Sequence, residues 1–245
     1  MLFMSLFSPP PRAAIPEWVD DPATPAEELW SAMEGIVRAN KALAYPALIA
    51  WLAERELGRP PRRVLDVGTG LADIPVGFAV RGRARGNPVE TVGIDLNSRT
   101  IDRARSMTAD WPEVAVHAVD LFALPSDWEA FDVVTCHRTL HHLETAQVGP
   151  FIAGMDAALA PGGVLLVGDL VRGRLCAAAT WAFLSALGTS HITVRDGVAS
   201  IRNSFLSREI LDLAAESGVD YLRTVPFGPP CHALVIGRKP DTGLT

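Results

Sequence analysis

The sequence predicts an α/β fold built on a mostly parallel β-sheet, and three observations predict it. Five short apolar runs alternate with helix-like segments across residues 62–169. The first run, Arg63-Val64-Leu65-Asp66-Val67, breaks into the turn Gly68-Thr69-Gly70. The chain closes on two strand-like runs, 221–226 and 232–237, with only Phe-Gly-Pro-Pro-Cys between them. Alternation of strands and helices means βαβ units with right-handed crossovers and parallel pairing. A glycine turn at the carboxyl end of a buried strand lies where open α/β sheets bind their ligands, and glycine lets backbone and ligand come close. A connection as short as the last one cannot hold a crossover helix, so the final two runs form an antiparallel hairpin.

In chain order, residues up to about 21 are proline-rich and carry no periodic element. Thr24-Pro25-Ala26-Glu27 then reads as a helix start, with Thr24 as cap, Pro25 at the first helical position and Glu27 closing a capping box. Trp30, Met33 and Val37 share one face of that helix. A second helix runs over 46–57 and stops at Gly58, with Pro60-Pro61 behind it. Residues 1–23 are thus expected to be a flexible tail, 24–61 a helical cap, and 62–245 the main domain. After the glycine turn a helix covers 74–80, and Thr91-Val92-Gly93-Ile94-Asp95 is the second strand. Asn97 or Ser98 caps a helix through about 108. The third strand is 114–120, ending in Asp120, and the fourth is 131–136. Val148, Ile152, Met155 and Leu159 mark a helix stopped by Pro161-Gly162-Gly163, and 164–169 is the fifth strand. Residues 172–206 read as an insertion over the ligand edge: a helix-like segment, 175–187, then an irregular stretch with His191, Arg195 and Asp196. Ser207 caps a helix to about 216, ended by Gly218.

Composition removes several function classes. At 245 residues the chain is long enough for a full core, as one domain with appendages. A net charge of −6 argues against a nucleic-acid surface. Arg81, Arg83 and Arg85 form the one dense basic cluster and read as a solvated loop tip. Cys136, Cys176 and Cys231 are far apart and show no Cys-x-x-Cys spacing, so neither a disulfide framework nor a metal site is expected. A cytoplasmic setting follows. Residues 1–7 are apolar but lack the basic flank and length of a signal segment, and no stretch approaches a membrane span.

The acidic residues choose among ligands. A dinucleotide site wants a third glycine at position 73, where this chain has Asp73. Asp66 puts a second negative charge beside the turn, a poor companion for a pyrophosphate. The Gly-x-x-x-x-Gly-Lys phosphate loop is absent. A cationic ligand without phosphates suits this rim, and S-adenosylmethionine, with a sulfonium and an ammonium, is one. Asp95 is placed for its ribose diol and Asp120 for its adenine amino group. Strand-end aspartates also serve as turn formers and caps. That explains any one of them better than three closing successive strands.

Val-Leu-Asp-Val-Gly-Thr-Gly, Val-Gly-Ile-Asp-Leu, Val-Asp-Leu-Phe-Ala-Leu-Pro, Phe-Asp-Val-Val-Thr-Cys-His and Leu-Ala-Pro-Gly-Gly-Val-Leu-Leu-Val follow one another in this order. In this the chain resembles the class I S-adenosylmethionine-dependent methyltransferases. The resemblance covers roughly residues 62–169. It implies a Rossmann-like three-layer fold with a seven-stranded sheet containing one antiparallel strand. More weakly, Arg138-Thr-Leu-His-His-Leu143 and Arg195-Asp-Gly through Arg202-Asn-Ser-Phe-Leu-Ser-Arg-Glu-Ile are both similar to small-molecule members, including those of ubiquinone and menaquinone synthesis. The resemblance implies that Asp66, Gly68, Thr69 and Gly70 line the methionine end of the cofactor. It puts Asp95 on the ribose, Leu96 against the adenine, Asp120 and Leu121 at the adenine edge, and Cys136 and His137 beside the methyl group. His137 departs from the smaller or amide residue of many relatives.

Methyl transfer from a sulfonium asks a protein mainly to align the reacting atoms and exclude water. A base matters where the acceptor is an acid. His141 and His142 are the candidates, and each reads equally as a structural loop histidine. His191 and Arg195 are candidate acceptor contacts or plain surface residues. Trp30, Trp181, Phe183 and Phe205 wall an acceptor pocket or simply pack helices. The expected function is methylation at O or C of a small, apolar or aromatic molecule. The alternatives are N-methylation of a small amine and a non-catalytic S-adenosylmethionine-binding protein. The expected partner is that small acceptor, with no nucleic acid, in a monomer or homodimer.

Overall fold

The computed structural model describes residues 9–226 and 231–241. Two helices come first, α1 (Ala26–Ala42) and α2 (Tyr45–Leu57). Five strands with three intervening helices follow: β1 (Arg63–Val67), α3 (Asp73–Ala84), β2 (Glu90–Asp95), α4 (Ser98–Met107), β3 (Val114–Ala118), β4 (Phe131–His137), α5 (Thr145–Ala157) and β5 (Leu159–Leu170). The helices α6 (Arg174–Ala186) and α7 (His191–Asn203) precede α8 (Ser207–Glu216), β6 (Arg223–Thr224) and β7 (His232–Arg238). The sheet order is β3-β2-β1-β4-β5-β7-β6. β7 alone runs antiparallel, to both β5 and β6. The architecture is the Rossmann-like seven-stranded sheet expected from the resemblance, with helices on both faces.

Strand alternation sorts the core into two layers. Leu65, Val67, Val134, Cys136 and Val235 pack with Ile152, Met155 and Ile210 of α5 and α8. Val64, Val133, Leu166 and Ile236 pack with Tyr45, Ile49 and Phe78 of α2 and α3. At the opposite end of the sheet from the glycine turn, Asp132 ties the start of β1 to β4. Its carboxylate accepts from Arg59 Nη2 (2.6 Å), Arg62 N (2.7 Å) and Arg63 N (3.1 Å). Burial alone would raise its pKa, but these donors hold it below the usual carboxylate value. A depressed native pKa stabilises the fold above the unfolded value of about 3.9 and loses that contribution as the pH falls through the native value. Asp132→Asn should therefore cost about 1–2 kcal/mol at pH 7. The gap between the two melting temperatures should narrow as the pH drops below about 4, and a gap independent of pH would contradict the assignment.

Several expectations are corrected. Thr24 does not cap α1; its hydroxyl donates to the Trp18 carbonyl, and Pro25 precedes the helix without a side-chain cap. Ser207 is the first residue of α8, and the carboxylate of Glu209 closes the turn on the Leu206 N–H. Leu159 opens β5 rather than ending α5. Arg81 and Arg83 lie on α3 and form ion pairs with Glu54 and Glu113, and Arg85 also pairs with Glu54. The stretch read as irregular is helix α7, capped by Ser190. Its buried residues mix Ile192, Ala199 and Ile201 with the polar Asp196, Ser200 and Asn203, which stand about one turn apart. Those three polar residues hold the N-terminal segment, so its described part is not a free tail. Asn203 exchanges hydrogen bonds with Ile15 N and O (2.9 Å each), Asp196 accepts from Val19 N (3.1 Å), and Ser200 Oγ donates to Glu17 (2.8 Å). Arg12 adds bonds to the Asn203 and Leu143 carbonyls. The apolar residues 1–7 and residues 227–230 lie outside the described residues.

Candidate functional site

The parallel strands deliver their carboxyl ends to one edge, and a cavity of about 910 Å³ opens there. Its floor is the turn after β1. Gly68 N and Thr69 N both donate to the Ile94 carbonyl (2.9 Å), which hooks the turn onto β2. Gly68 and Gly70 have φ of +71° and +53°, and a Cβ on Gly68 would collide with the Thr139 side chain. Glycine is required there by conformation and by space together.

Asp66, at the end of β1, is buried, and its Oδ1 has no hydrogen-bond partner among the described residues. Burial pushes its carboxyl well above the usual range, and the neighbouring charges of Asp73 and Asp95 add to the rise. Asp73 is in turn held by Asn40 Nδ2 of α1 (2.8 Å). Asp95, at the end of β2, accepts from Gly70 N at Oδ2 (3.0 Å) and from Asn97 N at Oδ1 (2.9 Å). Each oxygen has a second acceptor direction left over. Leu96, 76% exposed, stands on the cavity rim, while Leu121 is buried in its wall. Asp120 lines the cavity and also caps the short turn Leu121–Ala123, accepting from Phe122 N (3.0 Å).

At the end of β4 the alternation separates two expected neighbours. His137 faces the cavity, while the Cys136 side chain lies in the core with Leu65 and Val134. The expected Cys136 contact is thus corrected as far as its side chain goes. His137 is fixed by Tyr45 OH (3.0 Å at Nδ1) and by Thr135 Oγ1 at Nε2. Burial, helped by the adjacent Arg138 charge, lowers its pKa to about 3, so it is neutral at physiological pH. Arg138 is itself held with φ of +54°, its guanidinium over the Tyr45 ring and 3.0 Å from His232 Nε2.

The short turn Leu140–His142 carries the histidine pair, their rings 4.2 Å apart. Buried His141 meets Asp169 Oδ1 through Nδ1 at 2.7 Å, and its backbone N–H donates to Asp169 Oδ2 (3.0 Å). His142 Nδ1 meets Asp20 Oδ2 at 2.7 Å. Burial alone would lower the His142 pKa, but the Asp20 hydrogen bond and the charges of Glu17, Asp20 and Asp169 raise it to about 9. With no cation beside it, His142 therefore holds its proton at neutral pH.

The roof is apolar where α1 and α6 supply it, with Met33, Ile36, Val37, Phe183 and Leu184 facing the cavity, while α7 adds Thr193, Asp196 and Ser200. Of the aromatic candidates only Phe183 lines it. Trp181 is 58% exposed, Phe205 is buried beneath the Arg12 guanidinium, and Trp30 lies beside Arg103. His191 and Arg195 do not line the cavity; both pack on Trp18 and so help to hold the N-terminal segment. Sequence reasoning missed Glu17, Asp20, Asn40 and the pairing of Asp169 with His141. The first two sit in a segment without periodicity, where no local signal marks them.

A protein family described as a methyltransferase domain matches residues 64–163. A demethylmenaquinone methyltransferase of Deinococcus radiodurans is 34% identical over 116 residues, covering 47% of this chain and 46% of that protein. An uncharacterized 37.1 kDa protein in a transposon of Streptomyces fradiae is 27% identical over 173 residues, covering 69% of this chain and 46% of its own length. The chain thus spans about half the length of these curated relatives. Among solved structures, the plantazolicin methyltransferase BpumL with a monoazolic desmethyl analogue and SAH superposes with a TM-score of 0.66 at 12% identity, covering 91% of this chain and 92% of that one. The N-methyltransferase NodS of Bradyrhizobium japonicum with S-adenosylhomocysteine gives 0.51 at 20% identity, over 78% and 85%. Both share the fold. Among the described residues no helix is long and apolar enough to cross a membrane.

Proposed function

We propose that the chain is a class I S-adenosylmethionine-dependent methyltransferase, as its methyltransferase-domain match supports, and that it methylates an O or C atom of a small, apolar or aromatic molecule held under the roof of its cavity. One observation carries this reading: a single cavity joins an acid-lined glycine turn to an apolar roof, with the histidine pair on its wall.

The residues fit the cofactor. Asp66 offers an unpartnered buried acceptor to its ammonium group, and a carboxylate so placed is costly unless a cation pairs with it. The backbone of Gly68, Thr69 and Gly70 leaves room for the methionine end. Asp95 takes the ribose hydroxyls, Leu96 and Leu121 hold the adenine, and Asp120 meets its edge. Neutral His137 adds no positive charge beside a sulfonium. When bound, S-adenosylmethionine supplies an activated methyl group. The chain positions the acceptor against it and excludes water through α1, α6, α7 and the N-terminal segment. His141, oriented by Asp169, is the acceptor-activating base, and protonated His142 offers the acceptor a charged donor.

A second reading, N-methylation of a small amine, is favoured by one observation: Glu17, Asp20 and Asp196 also face the cavity, and carboxylates attract an ammonium. A radiolabelled methyl donor offered with phenols, 1,3-dicarbonyls and amines tests these readings. Label should enter the first two classes. Label in amines alone would replace the main reading by the second. Binding without transfer to any class would favour a non-catalytic protein.

A further inference from the structure

Glu17 reaches the histidine pair from far earlier in the chain, and the three side chains each offer one ligand atom within 4.8 Å of the others. Glu17 Oε1 lies 3.7 Å from His141 Nε2. That is too long for a hydrogen bond. It is close to the separation of two neighbouring ligands on one ion, roughly 3.4 Å in a tetrahedral site with bonds of about 2.1 Å. We propose that Glu17, His141 and His142 form a binding site for a divalent transition-metal ion at the acceptor end of the cavity.

The surroundings are those of a metal site one shell out. Histidine ligands characteristically give their second ring nitrogen to a carboxylate, which fixes the ring and strengthens the remaining nitrogen as a donor. Both rings here do so at Nδ1, His141 to Asp169 and His142 to Asp20. The Glu17 carboxylate is oriented as well, by Ser200 Oγ (2.8 Å at Oε2) and Asn203 Nδ2 (3.3 Å at Oε1). Three carboxylates around two imidazoles make the spot attractive to a cation. Two imidazoles and one carboxylate suit zinc, iron, manganese or cobalt, whereas magnesium and calcium prefer all-oxygen sets. Three protein ligands leave positions for water or an acceptor oxygen. All three residues line the cavity, so such an oxygen has access. The ion lowers the pKa of a phenol or enol hydroxyl bound to it. The O–H proton leaves to solvent water and the oxyanion stays on the metal. The chelating acceptor is thus an oxygen acid, which sharpens the proposed function and rests on it. Ion binding itself does not.

The test is titration of the tag-free full chain with Zn²⁺, and with Co²⁺ as a spectroscopic probe. One ion should bind per chain, with cobalt absorption bands of a nitrogen–oxygen site. Glu17→Gln keeps the shape and the neutral hydrogen bonds, and His142→Ala changes a partly exposed ring. Each should weaken binding at least about tenfold. Absence of stoichiometric binding, or wild-type affinity in either variant, overturns the site. S-adenosylhomocysteine binding is measured in parallel. Metal binding without it would sink the methyltransferase reading and keep the ion, and the reverse result would sink the ion alone.

Discussion

Replacing Asp95 by alanine should weaken S-adenosylhomocysteine binding about 100-fold. The side chain is proposed to accept both ribose hydroxyls, and each hydrogen bond to a charged acceptor is worth about 1.5 kcal/mol or more. The same carboxylate already holds Gly70 N and Asn97 N. Its loss therefore also loosens the turn that approaches the cofactor. Asp95→Asn keeps one acceptor oxygen and should lose less, near tenfold. Calorimetric titration measures both, with melting curves to show that the variants are folded. Unchanged affinity in the alanine variant would refute the ribose role.

Asp169→Ala should produce the largest loss of stability. The carboxylate is fully buried and accepts from His141 Nδ1, His141 N and Leu170 N (2.7 Å). Truncation leaves these donors without their acceptor and should cost about 3–5 kcal/mol. For a chain of this size that is a fall of roughly 10 °C in melting temperature. Burial alone would raise the pKa of this carboxyl, but His141 and the backbone donors hold it below the ordinary value. Its stabilisation is therefore present above the unfolded pKa of about 3.9 and fades as the pH falls through the lower native pKa. Wild type and variant should converge in strong acid. A small loss at pH 7, near that of a surface substitution, would contradict this role.

The two variants mark how far the sequence could be read. Asp95 and the turn 68–70 are legible because a strand end and a glycine turn are local patterns, and the parallel topology then brings every strand end to one edge. Fold class follows from the same alternation. Cys136 was misplaced beside the methyl group although period two in β4 sends Val134 and Cys136 inward and His137 to the cavity. Helix α7 was not legible. Its buried face mixes Asp196, Ser200 and Asn203 with Ile192, Ala199 and Ile201, so polar residues interrupt the apolar stripe that would mark a helix. Those polar residues hold an extended segment whose own sequence is equally silent, and that segment supplies Glu17 and Asp20 to the site. Long-range polar pairing of this kind leaves no spacing to find in one sequence.

The central claim is that the acidic glycine-turn edge binds S-adenosylmethionine rather than a dinucleotide. Calorimetric titration of the purified chain with S-adenosylhomocysteine, NAD and NADP tests it most directly. The account predicts one-to-one binding of S-adenosylhomocysteine and none of the dinucleotides, because Asp66 and Asp73 would face a pyrophosphate. Binding of NAD or NADP, with no heat from S-adenosylhomocysteine, would contradict it.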